Sequence, residues 1–184
     1  MTTQPDTAER VGRFVAALKR IDTTGGPPSF RGGPLSTLDS RVRAEIQVLS
    51  AHNTLDPHLA TAAWDTALAA PTWHGPPVWT HADLYPTNLL AQHGRLTAVI
   101  DFGGVGTGDP AIDMLPAWAL LTTQTRHLFR AEANVDEATW VRGRGWALAL
   151  CIGAAHFYHA TNPVLAANGK RCITEALADH QRSA

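Results

Sequence analysis

The fold is decided by HADLYPTN, residues 81–88, and by the triplet Asp101-Phe102-Gly103, which begins thirteen residues after Asn88. An apolar run at residues 77–80 precedes the first stretch and predicts a short strand. Residues 89–100 contain two apolar runs around a polar turn, which predicts a β-hairpin. The two polar stretches therefore stand at the end of a strand and at the base of a hairpin.

These two stretches favour phosphoryl transfer. The first fits the pattern H-x-D-L-x-x-x-N of kinase catalytic loops, and the second is a literal D-F-G. In this reaction charge spreads over the oxygens of the transferred group, so catalysis depends on positioning and on neutralisation by Mg²⁺. Asp83, on a loop after a strand, can meet an acceptor hydroxyl, while Asn88 and Asp101 supply the oxygen ligands that Mg²⁺ prefers.

Residues 78–115 resemble the core of the aminoglycoside phosphotransferase and choline kinase-like family. Its members carry H-G-D-x-x-x-x-N, then I-D-F, then G-D-P-x-x-D, and the last motif matches Gly108-Asp109-Pro110 with Asp113. The resemblance implies an α+β fold that is mostly α, the C-terminal lobe of a protein kinase-like fold. Helices would form most of this lobe, and a short β-hairpin would carry the catalytic and metal loops.

The resemblance also implies roles for six residues. Three would act directly, with Asp83 as the catalytic base and with Asn88 and Asp101 as ligands of the Mg²⁺ that accompanies ATP or another nucleoside triphosphate. Three would support them: His81 and Asp113 would hold the catalytic loop from behind, and Asp109 would cap the helix that starts at Pro110.

The acceptor is expected to be a small hydroxyl-bearing molecule, aminoglycoside-like or an amino alcohol. Gly108 follows Gly103 by only five residues, which leaves no room for the long activation segment that grips peptides in protein kinases. Macrolides and small sugars also stay open, because the helical region carries no specificity motif. The six tryptophans are expected to belong to the core, although Trp118, Trp140 and Trp146 are also candidates for the wall of an acceptor pocket.

Two residues depart from the family pattern. Ala82 stands where the family has glycine, which suggests a backbone conformation that favours glycine. Pro116 falls within the helix expected from Pro110 and is predicted to kink it.

The features that hold nucleotide phosphates in kinases are missing from the pattern. A kinase uses a glycine-rich loop, a strand lysine and a helix glutamate. The chain has only Lys19, on a predicted helix over residues 7–21, and Lys170, near the C-terminus. No β-rich segment precedes residue 77. We expect residues 1–184 to form a single C-terminal lobe, with the N-terminal nucleotide lobe absent, supplied by a partner chain, or replaced through self-association.

Three other interpretations of the sequence bear on its function. The chain could be an inactive pseudokinase lobe that serves as a small-molecule binding or scaffold protein. The glycine run at residues 103–108 follows a strand, but it lacks the G-x-G-x-x-G spacing of dinucleotide-binding loops. His156 and His159 are three residues apart with no third metal ligand nearby in sequence, which favours packing over metal binding.

Composition excludes several classes of protein. A net charge of −1 gives no field that would gather nucleic acid or anionic membranes. Neither end resembles a signal peptide, and Cys151 and Cys172 lie in apolar stretches, which favours reduced thiols in a cytoplasm. Thirteen arginines against two lysines, with abundant Ala, Gly and Pro, suggest a high-GC bacterial genome.

Overall fold

A computed structural model describes residues 5–93 and 95–183. This part of the chain contains seven α-helices: α1 (Pro5–Leu18), α2 (Asp39–Ala51), α3 (Pro57–Ala69), α4 (Pro116–Ala119), α5 (Thr123–Ala133), α6 (Glu137–Phe157) and α7 (Pro163–Ser183). It also contains four short strands: β1 (Val78–Thr80), β2 (Leu89–Gln92), β3 (Arg95–Val99) and β4 (Gly106–Gly108). Single turns of 3₁₀ helix cover Leu35–Leu38, Pro86–Asn88, Phe102–Gly104 and Pro110–Met114. The mostly helical α+β fold predicted from the sequence is confirmed.

The strands form two separate antiparallel pairs. The predicted hairpin is confirmed as β2 and β3, with Leu89 opposite Val99, although Gly94 in its turn lies outside the described residues. The second pair joins β1 to β4, with Thr80 opposite Gly106. The sequence had predicted a loop over residues 102–109, because glycine has low strand propensity.

Glycine at position 106 allows a further segment to pass close to β4. A Cβ on Gly106 would lie 2.5 Å from the Cα of Ser29. The Ser29 amide donates to the Thr107 carbonyl oxygen at 2.9 Å, and the Thr107 amide donates to the Pro27 carbonyl oxygen at 2.8 Å. The glycine-rich loop before α2 is thereby fastened beside the strand that follows Asp101.

Helix α6 runs through the centre of the helical part and is buried on most sides. Two glycines let neighbouring elements approach it closely. A Cβ on Gly143 would lie 2.4 Å from the Cβ of Met114, and one on Gly145 would lie 2.6 Å from the Cβ of Ala67. The 3₁₀ helix Pro110–Met114 and helix α3 therefore pack directly against the backbone of α6.

The helix predicted over residues 7–21 is observed as α1, which begins two residues earlier and ends three residues earlier. Asp56 caps α3 by accepting from the amides of His58 and Leu59, at 2.8 and 3.2 Å. The kink predicted at Pro116 is instead a complete break between the 3₁₀ helix Pro110–Met114 and α4. Proline has no N–H to continue the helical bonds, and its ring clashes with the preceding turn. No helix within residues 5–93 and 95–183 is both long and apolar enough to cross a bilayer.

Candidate active site

The stretch that follows β1 brings the predicted base and one predicted metal ligand into direct contact. The Nδ2 of Asn88 donates to the backbone oxygen of Asp83 at 2.8 Å and to its Oδ2 at 3.0 Å. The Tyr85 amide donates to the Asp83 carbonyl oxygen at 2.7 Å, and the Asn88 amide donates to the Tyr85 carbonyl oxygen at 2.9 Å. The loop is thus a closed turn in which the two candidate side chains contact each other, Asp83 half-buried and Asn88 buried.

Asp113 holds the beginning of this loop from the interior. Its Oδ2 accepts from the His81 amide and its Oδ1 accepts from the Ala82 amide, each at 2.8 Å. The side chain is fully buried, and this burial raises the pKa of Asp113 to about 7, although the two amide donors act in the opposite direction. The carboxyl group fixes the path of the backbone immediately before Asp83.

Ala82 adopts the backbone conformation that the family's glycine suggested. Its φ is +63°, in the left-handed region that residues with a Cβ rarely enter. The residue is buried, and both its N–H and its C=O are engaged, the first by Asp113 and the second by Arg31. These two contacts hold an alanine where glycine would be unstrained.

His81 joins the catalytic loop to the end of the hairpin. Its Nε2 lies 3.1 Å from the carbonyl oxygen of Ile100, the residue before Asp101. The ring packs edge-on against Phe102 and Phe14, with centroid distances of 4.8 and 6.3 Å. Burial lowers the pKa of His81, which favours the neutral ring. In the tautomer that protonates Nε2, the ring donates to Ile100 and so ties the two loops together.

At the base of the hairpin, strand pairing brings the backbone at Asn88 next to the residue that precedes Asp101. Leu89 pairs with Val99, and the Ile100 amide donates to the Asn88 carbonyl oxygen at 3.0 Å. Asp101 follows directly, exposed and with φ +64°. Because the Nδ2 of Asn88 is bonded to Asp83, its Oδ1 is the atom left for a metal, and with the Asp101 carboxylate it fits the hard oxygen chemistry of Mg²⁺.

No cluster of three or more His, Cys, Asp or Glu side chains suited to a metal occurs in the described ranges. A site built on Asn88 and Asp101 contains only one residue of those four types. His156 and His159 do not form such a cluster, since the Nδ1 of His159 lies 2.8 Å from the backbone oxygen of His156. The glycine run at residues 103–108 enters an antiparallel strand, unlike the parallel frame of a dinucleotide-binding loop.

Asp109 occupies a different environment from the other candidates. Its carboxylate accepts two bonds from Arg142 of α6, at 2.7 Å from Nε and 3.0 Å from Nη2. It also accepts from the Ala111 amide at 2.9 Å, as the N-cap of the 3₁₀ helix Pro110–Met114. The Nη1 of Arg142 donates to the Pro71 carbonyl oxygen. Asp109 therefore fixes that helix, and with it Asp113, against α6.

Arg31 is a residue of this site that the sequence analysis missed. Its Nη1 donates to the Oδ1 of Asp83 and, at 3.1 Å, to the backbone oxygen of Ala82. It lies in the glycine- and proline-rich segment beside β4, where no local pattern marks one arginine among thirteen. Only the pairing of that segment with Thr107 brings Arg31 to the catalytic loop.

A cavity of about 430 Å³ opens beside Asp83 and Arg31, bounded by α2, the catalytic loop, the end of α6 and the start of α7. Its apolar lining includes Leu150, Phe157 and Leu165. Trp118, Trp140 and Trp146 are buried, as expected for core residues, and they do not line this cavity. The alternative position in a pocket wall is therefore not observed at this cavity.

Comparisons with known proteins agree with this geometry. A model of a family described as "Phosphotransferase enzyme family" matches residues 1–146. No curated protein matches the chain.

Several solved structures are similar in fold. The apoenzyme of macrolide 2'-phosphotransferase MphH from Brachybacterium faecium is 20% identical with a TM-score of 0.55, over 93% of this chain and 60% of its own. The GDP and kanamycin complex of APH(2")-IIia is 17% identical with a TM-score of 0.60, over 95% and 64%. A thermostable mutant of aminoglycoside phosphotransferase APH(4)-Ia with AMP-PNP and hygromycin B is 20% identical with a TM-score of 0.54, over 95% and 65%. The chain therefore spans less than two thirds of the length of these structures and shares their fold over that span.

Proposed function

Because this chain belongs to the phosphotransferase enzyme family, we propose that it moves the γ-phosphate of ATP to a hydroxyl group of a small molecule. The observation that carries the proposal is the contact between Asp83 and Asn88 at the base of the hairpin that ends in Asp101. Two of the similar structures hold a nucleotide together with an aminoglycoside, GDP with kanamycin in one and AMP-PNP with hygromycin B in the other, which supports a nucleotide and a small hydroxyl-bearing molecule as the two substrates.

Asp83 is the proton acceptor of the proposed reaction. The acceptor oxygen forms a bond to phosphorus, its O–H bond breaks with the proton passing to the Asp83 carboxylate, and the bond to the nucleoside diphosphate breaks. Each oxygen of Asp83 already accepts one hydrogen bond, from Arg31 or from Asn88. A carboxylate has about four lone-pair sites, so an acceptor hydroxyl can still be bound.

Asn88 Oδ1 and the Asp101 carboxylate would hold the magnesium ion. When bound, Mg²⁺ neutralises the phosphate oxygens of the nucleotide. His81 sets the distance between these two ligands through its bond to Ile100, and Asp113 holds the backbone of His81 and Ala82. Asp109 would act indirectly, because it holds in place the 3₁₀ helix that carries Asp113.

We propose further that the chain is a single lobe, the acceptor-binding and catalytic half of the enzyme. Neither lysine lies on a strand to meet nucleotide phosphates. The Nζ of Lys19 donates to the carbonyl oxygens of Ala133 and Asn134, at 2.6 and 3.1 Å, and so caps α5, while Lys170 lies on α7. The lobe that cradles the phosphates would come from another polypeptide segment, a partner chain or a second copy.

The first experiment is a thermal-shift measurement of this chain with ATP, with and without Mg²⁺. Ligand at a hundred times its Kd adds about 2.7 kcal/mol of stability, which corresponds to roughly 5–11 °C for a chain of this size, at about 2–4 °C per kcal/mol. We expect a magnesium-dependent shift that Asp101→Asn abolishes. A shift of equal size in that variant would overturn the assignment of Asp101.

Transfer itself is tested by ADP release from this chain joined to a donor N-terminal lobe, in the presence of hydroxyl-bearing antibiotics. We expect release that requires Mg²⁺ and falls by about 10³-fold in Asp83→Ala. Activity that is unchanged in Asp83→Ala contradicts the proposed role of Asp83.

A second candidate function is small-molecule binding without transfer, and one observation favours it. Arg31 engages the carboxylate that would accept the proton, while both lysines are placed away from the strands. A lobe of this kind would bind the acceptor with Asp83 as a ligand and would release no ADP. Magnesium-dependent ADP release by the chain excludes this candidate.

A further inference from the structure

The cavity beside Asp83 contains two carboxylates, and an arginine is paired with each of them. Asp83 is bonded by Arg31, and Glu45 of α2 lies 3.2 Å from the Nη1 of Arg41. All four side chains line the cavity. The formal charge of these four groups therefore sums to zero, and each carboxylate is already paired with a guanidinium group.

The Arg41–Glu45 pair has a defined position over α6. A Cβ on Gly153 would lie 3.0 Å from the Nη1 of Arg41 and 3.7 Å from an oxygen of Glu45. The absence of a side chain at Gly153 lets both groups lie against the helix at the cavity wall. This close approach makes Arg41 a built part of the cavity.

The opposite part of the wall is apolar. Leu150, Phe157 and Leu165 contribute from α6 and α7, and Phe157 stands at the rim with 72% of its surface exposed. The hydroxyl of Tyr85 is 3.3 Å from the Sγ of Cys151, so this residue offers mainly its ring to the cavity. On one side of the cavity, a bound ligand would bury apolar surface against these side chains, which favours binding. On the other side, it would contact carboxylates that are already paired with arginines.

We propose that the acceptor of this lobe is an amphipathic alcohol with an apolar face and at most one positive charge, and that Arg31 and Arg41 exclude polycations. A polyamine needs several uncommitted carboxylates, whereas here its ammonium groups would meet guanidinium groups of the same sign. The apolar face would pack on Phe157 and its neighbours, and the reacting hydroxyl would point to Asp83. This inference rests on the proposed function, because it takes the cavity beside Asp83 as the acceptor site.

The test compares two hydroxyl-bearing probes by isothermal titration calorimetry on this chain at low ionic strength. Erythromycin has a large apolar ring and one amine, whereas kanamycin is a polyamine. We expect erythromycin to bind at least about ten times more tightly, a difference near 1.4 kcal/mol. Kanamycin binding of equal or greater strength overturns the inference, and so does failure of both probes to bind at about 1 mM, the limit of weak specific affinity.

A pair of matched variants isolates the contribution of charge. Arg41 and Arg43 lie on the same helix with 43% and 41% of their side chains exposed, and each pairs with an acid four residues away. Only Arg41 lines the cavity. Arg41→Gln leaves Glu45 unpaired, so we expect kanamycin affinity to rise about two- to fivefold, the effect of one exposed ion pair. Arg43→Gln should leave kanamycin affinity unchanged, and an equal change in the two variants contradicts the role of Arg41.

A second pair isolates the apolar wall. Phe157→Ala should weaken erythromycin binding about fivefold, because a partly buried aromatic surface is lost. Ile21→Ala removes a side chain that is 54% exposed and outside the cavity, and it should have no effect. Equal erythromycin affinities in these two variants would contradict the proposed contact between Phe157 and the apolar face of the ligand.

Acceptor binding requires no phosphate transfer, so the two proposals fail separately. Selective erythromycin binding without any ADP release leaves the inference standing and overturns transfer by this chain. ADP release with kanamycin as the better acceptor overturns the inference and leaves the proposed function standing.

Discussion

The catalytic loop is held differently at its two ends. At the inner end, the buried carboxyl group of Asp113 accepts hydrogen bonds from two backbone amides. Among the described residues, it has no ion-pair partner within hydrogen-bond distance. At the outer end, Asp83 is half-buried and bonded to Asn88 and Arg31, and Asp101 is exposed. The inner carboxyl group fixes backbone geometry from a buried position, whereas the outer ones lie where a substrate can reach them.

The difference teaches that residue type does not reveal the role of an aspartate in this motif set. Asp83, Asp101, Asp109 and Asp113 have the same functional group, yet one contacts an arginine of a loop, one faces solvent, one pairs with α6 and one binds amides. Burial and partners separate them. Substitutions at the two ends of the loop should therefore affect stability very differently.

The largest effect is expected for Asp113→Ala at pH 5. The substitution leaves two buried amides, of His81 and Ala82, without an acceptor, and at 1–3 kcal/mol each the free energy of unfolding should fall by about 4 kcal/mol. The matched variant at the exposed end is Asp101→Asn, which should change it by less than about 0.5 kcal/mol. Urea denaturation measures both, and similar values for the two variants would remove the distinction between the ends.

The next effect is the pH dependence of the inner end. Burial raises the pKa of Asp113 to about 7, above the value of about 3.9 in an unfolded chain. Because the folded state then holds the proton more tightly, stability from this group is present below about pH 4 and is lost as the pH rises towards 7.

This pH effect is measured against Asp113→Asn, which does not titrate. Between pH 5 and pH 7, the free energy of unfolding of the wild type should fall by about 2 kcal/mol relative to that of the variant. Urea denaturation at pH 5, 6 and 7 gives this difference. Parallel pH profiles for the two proteins would show that burial does not perturb the Asp113 carboxyl group.

The smallest effect is expected for a substitution of Ala82, the residue between His81 and Asp83. Ala82→Gly relieves about 1–2 kcal/mol of left-handed strain but removes a buried methyl group that contributes about 0.8 kcal/mol. The net expectation is a stabilisation of about 0.5 kcal/mol, set by the φ of +63°.

A matched control for that variant is Ala60→Gly. Ala60 is equally buried but lies in α3 with helical backbone, so its substitution should destabilise the chain by about 2 kcal/mol, from the lost methyl group and from the lower helix propensity of glycine. Thermal or urea denaturation of both variants gives the sign of each change. Destabilisation of Ala82→Gly to the same extent would mean that the methyl group matters more than the strain.

Much of the fold was predictable because its signals are local. The helix before residue 20, the cap at Asp56, the hairpin and the breaks near residues 122, 134 and 162 all follow from apolar period and turn chemistry. Strand β4 was not predictable, because Gly106 and Gly108 have no strand propensity and pair only through the presence of β1 and the segment at Ser29. The break at Pro116 was expected only as a kink, because the sequence shows that proline interrupts the helical hydrogen bonds but not how far the interruption extends.

The candidate site divides in the same way. Sequence spacing selected Asp83, Asn88 and Asp101, and the hairpin register then brings Asn88 next to the residue before Asp101, as a short hairpin requires. Their catalytic and metal-binding roles stay predictions. The acceptor cavity could not be located, because its walls come from α2, α6 and α7 and its exposed Phe157 has no sequence signal that distinguishes it from a core residue.

The sequence by itself determined the family, the helical class and the order of the polar motifs, because fixed residue types at fixed spacing act through the local chain. Only the tertiary structure decided that Arg31 lies on Asp83, that the Arg41–Glu45 pair lies against Gly153 of α6 and that Asp113 is buried against two amides. These contacts join residues that are 52, 112 and 32 positions apart in the sequence. Charge pairing and desolvation depend on what the folded chain places within a few ångströms, and the linear order of residues does not contain that distance.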